Sequence, residues 1–152
     1  ILGTALLFGY TRSSKWVIPM IWIGSGLGVW LFAREVTHLG ASGLTHGLMF
    51  FVFVAGVIRK DKLSSVLAMT VFFLYGGMVM SIFPREEGIS FEYHFFGALM
   101  GVLMAIILRG YDPLPVEKHY SWEDESEDDI DPVIGDEWQQ LSNDDENKSS
   151  SV

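Results

Sequence analysis

Few side chains in the first 110 residues can take part in bond breaking, and they fall into two groups. Ser42 stands in the run Gly40-Ala41-Ser42-Gly43, with His46 one helical turn beyond it and His38 just before it. Glu92 and His94 stand together much later in the chain. There is no cysteine, which excludes disulfides, thiolate metal sites and thiol nucleophiles. A serine hydroxyl attacks well only when a neighbouring base removes its proton, and imidazole is suited to that task near neutral pH. Ser42 and His94 are therefore the pair to test, provided the fold brings them to one level.

The elements that must position them are apolar and long. Residues 16–32, 41–58, 63–83 and 91–108 form stretches of 17, 18, 21 and 18 residues, interrupted by hardly any ionisable side chain. A helix crossing a hydrocarbon core needs roughly 17–25 such residues, and in lipid only helices and closed barrels satisfy their own backbone. The sequence thus predicts an all-α polytopic bundle lodged in the bilayer. The apolar opening stretch, residues 1–9, reads as the second half of a further span, so the chain is expected to be part of a longer protein.

Charge divides the chain. Residues 1–110 carry 8 basic and 5 acidic side chains, whereas residues 111–152 carry 2 and 14, so the overall net charge of −9 belongs to the tail. We expect a membrane domain over 1–110 and an acidic, largely disordered tail over 111–152, because the tail has too little apolar surface to offset chain ordering. Alternate links carry Arg12 and Lys15, then Arg59, Lys60 and Lys62, then Arg109, against Arg34 and Arg85 on the other side. That bias places the six-charge side and the tail in the cytoplasm.

Depth follows from counting. Ser42 lies 16 residues before Ile58, and His94 lies 14 before Leu108. At about 1.5 Å per residue both stand roughly 21–24 Å above the cytoplasmic boundary. Gly43 and Gly47 on one helix, and Gly97 and Gly101 on the other, have the spacing that lets membrane helices approach closely. Glycine before Ser42 suits a sharp turn into a helix, where free N–H groups favour an oxyanion.

These residues carry a family resemblance. HLGASGLTHGLMFF (38–51) resembles the G-x-S-G segment of rhomboid intramembrane serine proteases, and EYHFFGALMGVLMA (92–105) resembles that family's H-x-x-G-x-x-x-G helix. GSGLGVWLFARE (24–35) is similar to the preceding helix and loop. The resemblance covers about residues 1–109. It implies Ser42 as nucleophile and His94 as general base, a dyad without a carboxylate. It implies backbone around Gly40, Ala41 and Gly43 shaping the oxyanion loop, and Gly47, Gly97 and Gly101 seating the two helices. It further implies six spans in the whole protein, of which the end of the second and the third to sixth are present. Expected partners are single-span membrane substrates and the bilayer, with no cofactor, metal or nucleic acid, and the expected location is the bacterial inner membrane. An H-x-x-x-N motif of an earlier helix, which helps hold the oxyanion, has no match here, so this piece alone is expected to be impaired.

Plainer roles stand beside these. Ser42 could cap a helix, and His94 could bond a backbone carbonyl within the bundle. His46 sits where the family often has an aromatic residue, and it could stack on the base, bond to it or alter its proton affinity. Glu92 is expected to be a solvated carboxylate near the interface, and Trp16, Trp22 and Trp30 to face lipid. The rival functions are a catalytically inactive, client-binding relative and a transporter or channel subunit. The latter would line a path with buried charges that the middles of these helices lack.

Overall fold

The computed structural model describes residues 1–34, 40–84 and 90–114. His38, the charged residues 85–87 and the tail from 115 onward, whose disorder the composition predicts, lie outside the described residues. The bundle is built from α1 (Leu2–Gly9), α2 (Ser14–Phe32), α3 (Ser42–Arg59), α4 (Lys62–Tyr75), a 3₁₀ segment (Gly76–Ile82) and α5 (Phe91–Ile107). No strand occurs among the described residues.

Three helical stretches are long and apolar enough to cross a membrane: α2, α3 and α4 with its 3₁₀ extension. Half of the α3 span is buried, against 17% of α2 and 11% of the α4 span, so α3 is the centre around which the others pack. Its buried face joins Phe51, Val52 and Ala55 to Leu6 and Tyr10 near α1, Val17 and Ile21 of α2, and Met104 and Ala105 of α5. The outward faces carry large apolar groups such as Phe8, Trp22, Trp30 and Phe73. That is the expected pattern for a surface covered by acyl chains instead of water. Trp16, Trp22 and Trp30 are among these exposed residues, as predicted.

Glycine sets the closest packing. A Cβ added to Gly97 would strike the backbone of Gly43, and one added to Gly101 would strike that of Gly47. The α3 and α5 backbones are therefore in contact along two turns, an approach that no larger residue permits. Gly24 and Gly28 of α2 likewise receive Met100 and Phe96 of α5. At the opposite end of α3, Gly56 receives the Ser64 carbonyl and Ala68 of α4.

That end is fixed by polar groups. Lys60 takes a left-handed φ of 59° and ends α3, and Asp61 then caps α4 by accepting the Ser64 N–H at 3.0 Å. Arg59 pairs with Asp61 at 3.0 Å, donates to the carbonyls of Gly9 and Pro113, and lies over the Tyr10 ring. Asp112 accepts the N–H groups of Arg12 and Ser13, tying the exit of α5 to the entry of α2.

One expectation changes. Residues 63–83 are read from hydropathy as one continuous span, but the α-helix stops at Tyr75 and a 3₁₀ segment completes the crossing. The Gly76-Gly77 pair marks the change, since glycine holds the α-helix weakly.

Candidate active site

Ser42 is the first residue of α3, entered through Gly40 at φ +114° and Ala41, the N-cap. Side chains rarely adopt that φ, so glycine is what the turn requires. No side chain caps this helix end. The capping role considered for Ser42 is therefore not the one observed, and the first N–H groups of α3 point out of the helix without intrahelical acceptors. Ser42 is half-buried, while Gly43, His46 and Gly47 behind it are buried.

His94 is buried on the first turn and a half of α5, a helix capped by Ser90. Its Nδ1 lies 3.0 Å from the carbonyl oxygen of Ser81 in the 3₁₀ segment. A carbonyl only accepts, so Nδ1 carries the hydrogen and Nε2 presents a lone pair. The backbone-carbonyl bond once weighed as an alternative for His94 is thus present. It is also the bond that a general base needs to hold its ring and tautomer.

His46 links the two. Its ring stacks on that of His94 with centroids 4.1 Å apart and planes 12° apart. Its Nδ1 lies 2.7 Å from the Ser42 carbonyl oxygen, and its Nε2 lies 2.8 Å from the Ser81 hydroxyl. Of the three roles the sequence left open, stacking is observed directly. Ser42 and His94 therefore belong to one cluster on one side of the bundle, joined through this third residue. No hydrogen bond joins the Ser42 hydroxyl to His94 Nε2 among the described residues.

Behind the cluster, Gly43 receives the Tyr93 ring, and Gly97 and Gly101 hold α5 against α3. Glu92 departs from expectation. It is buried, and it meets Arg34 through both carboxylate oxygens, at 2.5 and 3.4 Å. Arg34 in turn lies 5.1 Å over the Phe91 ring. A carboxylate at that depth needs a cationic partner, and the end of α2 supplies one. Ser81 was not singled out from the sequence, where the only trace of its role is the glycine pair that breaks the helix before it. Among the described residues no cluster of three or more histidine and carboxylate side chains could hold a metal ion.

An all-α bundle with long apolar helices and apolar outer faces is that of an integral membrane protein. The Rhomboid domain family matches residues 7–111, and the chain belongs to the rhomboid family. It is also 32% identical over 117 residues to uncharacterized proteins of Mycobacterium bovis and Mycobacterium tuberculosis, covering 71% of this chain and 49% of theirs. Over 118 residues it is 32% identical to an uncharacterized protein of Mycobacterium leprae, covering 71% and 46%. The chain spans about half the length of the curated relatives it matches. No solved structure matches it significantly.

Proposed function

We propose that the protein is an intramembrane serine endopeptidase that cleaves single-span membrane proteins near the outer membrane face, with Ser42 as nucleophile and His94 as general base. The observation that carries this reading is the 3.0 Å contact of His94 Nδ1 with the Ser81 carbonyl oxygen. With Nδ1–H given to the Ser81 carbonyl, the Nε2 lone pair is left for the serine proton, in the same cluster as the turn that bears Ser42.

The chemistry follows from that arrangement. A substrate helix enters between the spans and unwinds locally, because a helical peptide bond is shielded and already hydrogen-bonded. Ser42 Oγ attacks the exposed carbonyl carbon while His94 Nε2 takes its proton. N–H groups at the start of α3, around Ala41 and Ser42, face the oxyanion that forms. The imidazolium then protonates the leaving nitrogen, the C–N bond breaks and an acyl-enzyme remains. Water attacks that ester, giving its proton to His94, which returns one to Ser42 Oγ as the acid departs. The reaction uses no metal or cofactor. Serine–base hydrogen bonds are often long in free enzymes and tighten with substrate, so the bond from Ser42 Oγ to His94 Nε2 is one the substrate complex has to complete.

The positive charge at the Arg59 end orients the bundle with that end in the cytoplasm, and the tail with it, in a bacterial inner membrane. The unbonded hydroxyl favours a second reading, an inactive relative that binds membrane clients without cutting them. Cleavage of a single-span substrate in proteoliposomes separates the two. The full-length protein should cut, and Ser42→Ala and His94→Ala should each lower the rate by at least roughly a thousandfold. Binding without cleavage by the unaltered protein would establish the client-binding reading, and normal cleavage by Ser42→Ala would exclude Ser42 as nucleophile.

A further inference from the structure

The 3₁₀ segment presents three oxygen atoms to the two stacked rings. The Ser81 carbonyl takes the Nδ1–H of His94. The Ser81 hydroxyl lies 2.8 Å from His46 Nε2 and 2.7 Å from the Met78 carbonyl oxygen. That carbonyl is itself 3.3 Å from His46 Nε2. On the opposite edge of the same ring, His46 Nδ1 faces the Ser42 carbonyl at 2.7 Å.

The hydrogens can be assigned from these contacts. The Ser42 carbonyl cannot donate, so His46 Nδ1 carries the hydrogen between them. A neutral His46 then has a bare Nε2, which must accept. Met78 offers only another acceptor there, and the one hydrogen within reach is that of the Ser81 hydroxyl, which also points to the Met78 carbonyl and can be shared between the two. We propose that Ser81 is a positioning residue: its one hydroxyl hydrogen, shared between the Met78 carbonyl and His46 Nε2, favours the tautomer in which His46 Nδ1–H holds the Ser42 backbone, and keeps that ring flat against His94.

Removing the hydroxyl leaves no good alternative. The bare Nε2 would face the Met78 carbonyl, two acceptors opposed. Moving the proton to Nε2 would relieve that contact but set a bare Nδ1 against the Ser42 carbonyl. Rotating the ring would break the stack with His94. Each outcome releases either the serine-bearing turn or the base, and misplacement of reacting groups is costly to rate. One residue of the 3₁₀ segment thus orients both histidines, one through its backbone and the other through its side chain. Helical pairing commits a residue's carbonyl within its own helix, and here the Ser81 carbonyl is instead turned to His94.

This proposal rests on the protease reading, and its test separates the two. Steady-state cleavage of a single-span substrate is measured for the unaltered protein, Ser81→Ala, Ser81→Thr and Ser42→Ala, with active sites counted by fluorophosphonate titration. In Ser81→Ala, kcat per titrated site should fall roughly tenfold, the worth of one hydrogen bond in a positioned site, with KM changed by less than about twofold. Ser81→Thr keeps the hydroxyl and should restore kcat. If Ser81→Ala lowers only the number of titratable sites or the thermal stability, with kcat per site unchanged, Ser81 merely supports the fold and the proposal is overturned. Failure of threonine to restore kcat also overturns it. If Ser42→Ala cleaves normally, the protease reading itself falls, and this inference falls with it.

Discussion

At the scale of single residues, the proposed base His94 has an aromatic face, the His46 ring, set behind it. In the proposed mechanism His94 becomes a cation on taking the serine proton, with the His46 ring 4.1 Å away, and a π-face stabilises a cation so placed. His46→Phe keeps that face and loses the bonds to Ser42 and Ser81, so kcat should fall roughly tenfold. His46→Ala loses both and should cost roughly a hundredfold. Initial rates of substrate cleavage decide it, and equal rates for the two variants would show that the stack contributes nothing. The sequence offered three roles for His46 and no means of choosing. His46 meets Ser81, 35 residues away, in a segment whose break from helix hydropathy does not register. Matching depth for Ser42 and His94 was legible from counting along the helices, and the fold links the Ser42 turn to the His94 ring through His46. Glu92 is buried against the expectation of a solvated carboxylate, and its cationic partner Arg34, just past the end of α2, is 58 residues away in sequence, where spacing gives no sign of it.

Among the elements, contact between α3 and α5 is what brings the Ser42 turn and His94 to the same part of the bundle. Gly97→Val places branched carbons where the Gly43 backbone already stands and must push the helices apart. It should destabilise the protein by roughly 1–3 kcal/mol or more, as overpacking does, and reduce activity with it. Gly26 is a useful contrast, since an added Cβ meets nothing within 4 Å there. Gly26→Ala should be neutral or stabilising by up to about 1 kcal/mol, because alanine favours helix over glycine. Thermal unfolding in detergent measures both. Small-residue spacing predicted this interface, and the apolar runs predicted the spans to within a few residues. Spacing could not predict the 3₁₀ end of the fourth span, because hydropathy records how apolar a segment is and not which of its carbonyls are released.

For the whole molecule, the end away from the site acts as a clamp. Arg59 joins α1, the start of α4 and the exit of α5, and its side chain is almost fully buried. Arg59→Ala strands Asp61 and opens three junctions, and should cost roughly 3 kcal/mol of stability. Burial works to raise the Asp61 carboxyl, but the Ser64 bonds and the Arg59 charge outweigh it and hold it below the usual carboxylate range. A lowered carboxyl stabilises the fold at pH values above its unfolded value of about 3.9, and that contribution is lost as pH falls through the lower, folded value. Melting temperature should therefore drop on acidification below about pH 4, and Asp61→Asn should flatten that part of the curve. The most direct measurement of the central claim is chemical. A fluorophosphonate probe applied to the protein in membranes, followed by peptide mass spectrometry, should place the adduct on Ser42, and His94→Ala should abolish it. An adduct elsewhere, or one on Ser42 that forms equally well without His94, would show that the two side chains do not act as nucleophile and base.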